Sequence, residues 1–276
     1  MTIEKPSGPQ CLTPAQAGVQ CLHNNLLPMI QKILQPGEIG EHQPFPNVVL
    51  PNDPELFANR ARRFKHLSDG HAMSQLLDVL GKLAHAQHLA YGARKASVIP
   101  ADALTQSREH GMPALSYQAE RAPDWQHDLE HILGTLKSGD EPVLREAAEK
   151  LDAFDEAGRE SIADAIFGGG IAGDDEQTHA MVAPLVGAAL QVAWTRQAAS
   201  MNAADIGLIG SSTVCPVCAS RPVASVIEVA PDQSNLRYLH CSLCSTQWHM
   251  VRVNCTACES TKSVTYLSLN LSLIHI

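Results

Sequence analysis

The sequence predicts a mainly α N-terminal domain followed by a small β-rich metal-binding module of zinc-ribbon type. Three observations carry this. Apolar residues recur at helical period as far as about residue 203. From about residue 213 the composition shifts to residues that strands favour, divided by turn signals. Six of the eight cysteines lie within residues 215–258, as three Cys-x-x-Cys pairs.

The helical elements follow in order. Asn52-Asp53-Pro54 offers a cap and a proline at the first helical position, ahead of a helix through Leu56, Ala61 and Phe64. A second helix starts near Ala72 and carries Leu76, Leu77, Leu80, Leu83, Ala84 and Leu89 as one apolar stripe. Asp124 or a neighbour is expected to cap a helix holding Leu129, Ile132, Leu133 and Leu136, and Asp140 another through Val143, Leu144, Ala147 and Leu151. A short helix near Ser161–Phe167 stops at Gly168-Gly169-Gly170. A long one, Gln177–Met201, is rich in Ala, Val and Leu and is placed at the centre of a bundle. Residues 204–214 read as a linker. Beyond it Val223, Val226, Val229, Tyr238, Trp248, Met250, Val251 and Val253 mark strands, with Pro231-Asp232 and Asn235 as turns.

The cysteine spacing points to metal chemistry. Two residues between cysteines let both sulfurs face one point, and two such pairs supply the four thiolates of a tetrahedral zinc or iron site. Cys215, Cys218, Cys241 and Cys244 are the expected set; residues 219–240 between the pairs are close to ribbon spacing. Such a site is closed, so its ion staples the fold and holds no substrate water. Spacing alone does not choose between zinc and iron. Cys255 and Cys258 form a third pair with no fourth downstream, so a second site is expected to be half built. His240 and His249 stand near the pairs as substitute ligands, although packing is the commoner role for such histidines. Cys11 and Cys21 read as free thiols.

The other features do not argue for an enzyme. His85 and His88, three apart on a helix with His71 upstream, have no third ligand converging on them and read as a solvated face. The run Arg60, Arg62, Arg63, Lys65 also reads as a solvated helix side, with pairing to an acidic partner as the alternative. Gly168-Gly169-Gly170 lacks a following Lys-Ser/Thr and is a helix stop, not a phosphate loop. No nucleophile–base motif or dinucleotide fingerprint is found. The formal net charge is -9, with 20 Lys+Arg against 29 Asp+Glu, which disfavours a nucleic-acid partner. The region from Ser211 onward has four basic residues (Arg221, Arg237, Arg252, Lys262) and three acidic ones (Glu228, Asp232, Glu259), so the acidity belongs to the N-terminal part. No stretch is suited to spanning a bilayer and the N-terminus has no secretory plan, so a soluble cytoplasmic protein is expected. That compartment favours metal or free thiols over disulfides.

The cysteine block carries a resemblance. Cys215-Pro-Val-Cys218, the run Leu236-Arg-Tyr-Leu-His-Cys-Ser-Leu-Cys244, and Gln247-Trp-His-Met-Val-Arg-Val-Asn-Cys-Thr-Ala-Cys258 together resemble the formate dehydrogenase accessory protein (FdhE) family. Leu50-Pro51, Leu56-Phe57 with Arg60-Ala61, Gly70-His71, Leu83-Ala-His-Ala-Gln87 and Gln191-Val-Ala-Trp194 agree, from about Met29 onward. The resemblance implies a cytoplasmic accessory factor, itself not an enzyme, needed to make active respiratory formate dehydrogenase. It implies a helical domain over 29–203, a linker over 204–214, and a rubredoxin-like module over 215–276 that binds iron and contacts the dehydrogenase catalytic subunit. Residues 1–28 have little family counterpart and read as an extension. The resemblance implies one site on Cys215, Cys218, Cys241 and Cys244, and the first half of a second on Cys255 and Cys258. The family continues past Tyr266-Leu-Ser-Leu to a fourth pair, so truncation at the C-terminus is expected. Two rival functions remain: a zinc-ribbon nucleic-acid-binding protein, which the charge disfavours, and a thiol-redox protein exchanging disulfides at Cys255 and Cys258.

Overall fold

The structure is a computed structural model that describes residues 45–121, 124–169, 176–207, 213–228 and 236–262. Among them are seven α-helices and a four-stranded antiparallel sheet. The sheet comprises β1 (Val48–Val49), β2 (Pro222–Glu228), β3 (Leu236–Cys241) and β4 (Gln247–His249), in the order β1-β4-β3-β2. Cys11, Cys21, Gly170, Val229, Pro231, Asp232, Asn235 and Tyr266 lie outside the described residues, as does the 1–28 extension.

Local chemistry explains some helix boundaries. Before α1 (Leu56–Ser68), the Asp53 carboxylate accepts the Glu55 backbone N–H and the Asn59 side-chain amide, each at 2.9 Å. The second helix, α2, runs Ser74–Ala93. Its buried face is Leu83, Ala84, Ala86, Gln87 and Ala90; Leu76 and Leu89 of the expected stripe are exposed. A helix absent from the sequence reading, α3 (Ala101–His110), follows Pro100 and closes on Gly111 at φ 63. Its apolar pattern is thin, so only this proline-before, glycine-after punctuation marks it. In α4 (Asp124–Ser138), Trp125, Leu129, Ile132, Leu133 and Leu136 fall on one buried stripe. The fifth helix, α5 (Pro142–Asp152), has proline in its first turn. Asp140, expected to cap it, does not: Glu141 holds the cap position without a side-chain bond. The Asp155 carboxylate caps α6 (Glu156–Asp164) through the Gly158 N–H at 2.8 Å. That helix starts earlier than expected and runs into a π-helical turn, Ala165–Gly169, where Gly168 at φ 136 ends it.

The seventh helix, α7 (Glu176–Ala199), is apolar on almost every side because it packs against α2, α4, α5 and α6. Val182, Val186, Ala189, Leu190 and Val192 have no exposed surface. Arg196 fixes it in place, forming a buried two-pronged ion pair with Asp128 of α4, both bonds 2.8 Å, and donating to the Ala90 carbonyl of α2 at 2.9 Å.

The sheet joins distant stretches of chain. Leu239 of β3 faces Trp248 of β4 and Ser225 of β2, while Val48 of β1 faces Trp248 from the other side. Thus a strand preceding every described helix completes the β-rich region. Val251 and Val253 lie beyond β4 and are exposed. The expected linker carries a 3₁₀ turn, Ala203–Asp205, anchored to α3 by the Arg108–Asp205 ion pair at 2.9 Å. One hydrophobic core contains Phe57, Trp125 and Leu190 together with Cys215, Val217, Leu239, Leu243 and Trp248. Helices and cysteine-bearing turns therefore share their burial. No helix among the described residues is long and apolar enough to cross a membrane.

Candidate metal centre

The three cysteine pairs adopt the same backbone turn. In each, the first cysteine's N–H donates to a carbonyl five residues on: Cys215 to Ser220, Cys241 to Thr246 and Cys255 to Ser260, all at 2.9 Å. The residue after the second cysteine has positive φ, namely Ala219 (65°), Ser245 (59°) and Glu259 (58°). None is glycine, so each turn bears a left-handed residue costing roughly 1–2 kcal/mol. That conformation brings both thiols of a pair to one side of the turn.

Two of the turns meet. Cys215, Cys218, Cys241 and Cys244 place their sulfurs within 4.8 Å of one another. Cys218 and Cys241 sulfurs are 3.3 Å apart, and those of Cys215 and Cys244 are 3.6 Å apart. A tetrahedral ion with metal–sulfur bonds of about 2.3 Å spaces its sulfurs about 3.8 Å apart, so the set fits such an ion. Exposure is 5% for Cys241 and 0% for the other three, so the site is closed to solvent.

Metal-free, such a pocket cannot hold four negative charges. Burial, then hydrogen bonding with neighbouring thiols, pushes the Cys215 and Cys244 thiols well above the ordinary range. At Cys218 burial acts the same way, but hydrogen bonds from the other three thiols and Ser220 outweigh it, and its thiol falls well below. Ionising all four calls for a cation in the pocket.

Surrounding elements hold the two turns. The Leu243 and Cys244 N–H groups both donate to Cys241 Sγ at 3.3 Å. The Cys244 thiol donates to Thr246 Oγ1 at 3.2 Å. A short extended segment pairs with the first turn, Leu115 N–H to Val217 O at 2.9 Å and Tyr117 N–H to Cys218 O at 3.1 Å. The Trp194 indole of α7 grips that segment at Leu115 O, 2.9 Å away. Gln191 of α7 donates to Ser242 O at 3.0 Å, and Thr195 Oγ1 lies 3.2 Å from Ser245 Oγ. Of these supports, sequence reasoning singled out only the Gln191–Trp194 run, and without a role.

The remaining candidates are elsewhere. Cys255 is half-buried and Cys258 exposed, outside the four-sulfur cluster. Arg237, itself buried, fixes the approach to their turn by donating to the Val251, Arg252 and Asn254 carbonyls. His249 packs between the Phe45 and Tyr238 rings, and burial lowers its pKa; His240 is likewise outside the cluster. His71 and His85 are exposed. Arg62, Arg63 and Lys65 are on the solvated face expected, whereas Arg60 turns inward, over the Phe57 ring and onto Gln191 Oε1 at 3.2 Å.

Comparisons with known proteins point one way. Residues 45–208 match the family model described as FdhE, N-terminal, and residues 214–252 match the FdhE central domain. The chain is 34% identical over 243 residues to a protein FdhE homolog of Pseudomonas aeruginosa, covering 87% of this chain and 77% of the relative. A homolog from Edwardsiella ictaluri is also 34% identical, over 232 residues, covering 83% and 74%. The crystal structure of the FdhE protein from Pseudomonas aeruginosa superposes with a TM-score of 0.70 at 33% identity, covering 81% of this chain and 76% of that one.

Proposed function

Because the chain belongs to the FdhE family of formate dehydrogenase accessory proteins, we propose that it is a maturation factor that binds the dehydrogenase catalytic subunit and holds one metal ion, iron in preference to zinc, on Cys215, Cys218, Cys241 and Cys244. The observation that carries the metal reading is the convergence of four buried sulfurs from two turns far apart in sequence. Four thiolates fill a tetrahedral shell, so the ion cross-links the two turns and, if iron, can accept and return one electron. The chain's own residues do the rest. The Leu243 and Cys244 N–H groups stabilise the Cys241 thiolate, and the 115–117 segment and α7 hold the turns against the helices. Burial keeps substrates from these sulfurs, which suits a factor acting through its surface.

One observation favours a second reading at Cys255 and Cys258. The Ala257 and Cys258 N–H groups, then the Cys258 thiol, lower the Cys255 thiol pKa on an accessible turn. Thiol exchange there predicts rapid alkylation of Cys255 and turnover with a disulfide substrate.

Protein purified without oxygen should contain about one metal per chain. Iron should give a rubredoxin-like visible spectrum on oxidation. Affinity capture from extract should retain the dehydrogenase catalytic subunit. A metal-free preparation with all four buried thiols reactive overturns the metal reading, and failure to retain the subunit overturns the maturation reading.

A further inference from the structure

A hydrogen-bonded chain runs from the helices to one sulfur of the four-cysteine centre. Arg60 Nη1 of α1 and Gln87 Nε2 of α2 donate to Gln191 Oε1, at 3.2 and 3.1 Å. Two donors on that oxygen fix the orientation of the Gln191 amide, so its Nε2 faces Ser242 O at 3.0 Å. Ser242 C=O and Leu243 N–H belong to one peptide group. That N–H donates to Cys241 Sγ at 3.3 Å. Gln87 is itself fixed, being buried and donating to the Ala188 carbonyl at 3.0 Å.

We infer that Gln191, driven by Arg60 and Gln87, is a positioning residue that tunes the Cys241 thiolate through the Ser242–Leu243 peptide. The inference rests on the reading that these four cysteines bind a metal. Hydrogen bonds in series polarise one another. Charge drawn from Gln191 Oε1 toward the Arg60 guanidinium makes its amide N–H a stronger donor. That polarises the Ser242 carbonyl, and the Leu243 N–H then withdraws more charge from sulfur. A thiolate so held gives less charge to its metal, which raises the potential of a thiolate-bound iron. The same contact keeps the second cysteine turn seated on α7, so it also slows ligand loss. Arg60, Gln87 and Gln191 come from three helices and none is a metal ligand. Their convergence explains why residues so far from the cysteines in sequence bear on the site.

The test uses the full chain loaded with cobalt(II), whose thiolate-to-metal charge-transfer band reports electron density at sulfur. Gln191→Met keeps length and helix propensity but removes both donor and acceptor. It should move the band to lower energy and release cobalt to a chelator about tenfold faster, in line with the loss of an outer-shell partner. Arg60→Met, at the far end of the chain of bonds, should move the band the same way by less and leave release nearly unchanged. A merely structural role for Gln191 would change stability without moving the band. A folded Gln191→Met protein with wild-type band and release rate overturns the inference; if it fails to fold, an unmoved band in Arg60→Met does so. Wild-type protein showing no thiolate-to-cobalt band overturns the metal reading as well, and is told apart from the other outcomes because it concerns the parent protein.

Discussion

Removing the Asp128 carboxylate is the sharpest test of how α7 is held. The Asp128 and Arg196 side chains are 1% and 8% exposed, so neither charge has much access to water. Their contact comprises two charge-assisted bonds of 2.8 Å, each worth about 1.5–3 kcal/mol. Asp128→Ala removes both and leaves a buried guanidinium with only the Ala90 and Tyr91 carbonyls and the Tyr91 ring for company. Those residual partners argue against the upper bound of about 6 kcal/mol, and loss of one partner of a buried pair generally costs about 3–5 kcal/mol. A value near 4 kcal/mol is expected, a large share of a domain's usual stability of roughly 5–15 kcal/mol. Urea unfolding followed by far-UV circular dichroism measures it, provided the slope is unchanged. The double change Asp128→Leu with Arg196→Met should recover much of the loss, because no charge is then stranded. A single-variant cost below about 1 kcal/mol would refute the reasoning, since it would place the pair among solvent-screened contacts.

Three further outcomes are expected. Stripping the metal should lower the melting temperature; with free metal at about a thousand times its dissociation constant the lost stabilisation is about 4 kcal/mol, and Cys241→Ser should abolish that increment while Cys258→Ser leaves it. Gly207→Ala should cost about 1–3 kcal/mol in urea unfolding, because a Cβ there would lie 1.9 Å from Ser107 O and 2.9 Å from Gly111 Cα. Burial depresses the His249 pKa, so the folded state favours the neutral ring; its contribution is complete above the ordinary imidazole value and is lost as pH falls through the folded value. His249→Phe should therefore flatten the decline in stability below about pH 6.5, measured by thermal melts across pH.

Periodicity identified α2, α4 and α5, as with Leu129, Ile132, Leu133 and Leu136, whereas the cap-and-proline start marks α1 and the Ala, Val and Leu content marks α7. It missed α3, whose ten residues bury only Ser107. It also overcounted the buried face of α2. Leu76 fits the stripe but lines an open groove with Val79, Leu136 and Val143, and periodicity carries no information about how closely neighbouring helices approach. Arg60 was misread for a related reason. A basic run looks solvated, yet one member of it meets Gln191, contributed by a helix more than a hundred residues away. The role of β1 was equally hidden, since two valines carry no strand signal until β4 is beside them.

The third cysteine turn separates what is local from what is tertiary at the four-cysteine cluster. Its Cys255 N–H to Ser260 O bond, its Glu259 N–H to Cys255 O bond and its positive φ at Glu259 reproduce the first turn closely. Yet Cys255 is only half-buried, Cys258 is exposed, and neither belongs to a metal-ligating cluster among the described residues. The turn therefore forms from its own short sequence, which is why the Cys-x-x-Cys spacing was legible. Convergence of two turns has another cause. It depends on β2 and β3 pairing, on the 115–117 segment gripping Val217 and Cys218, and on α7 gripping Ser242. Those contacts span up to a hundred residues, and they draw on the core that buries Leu190 and Leu239. Metal affinity at the first two turns should thus fall with damage to the helices, whereas the conformation of each turn should survive it.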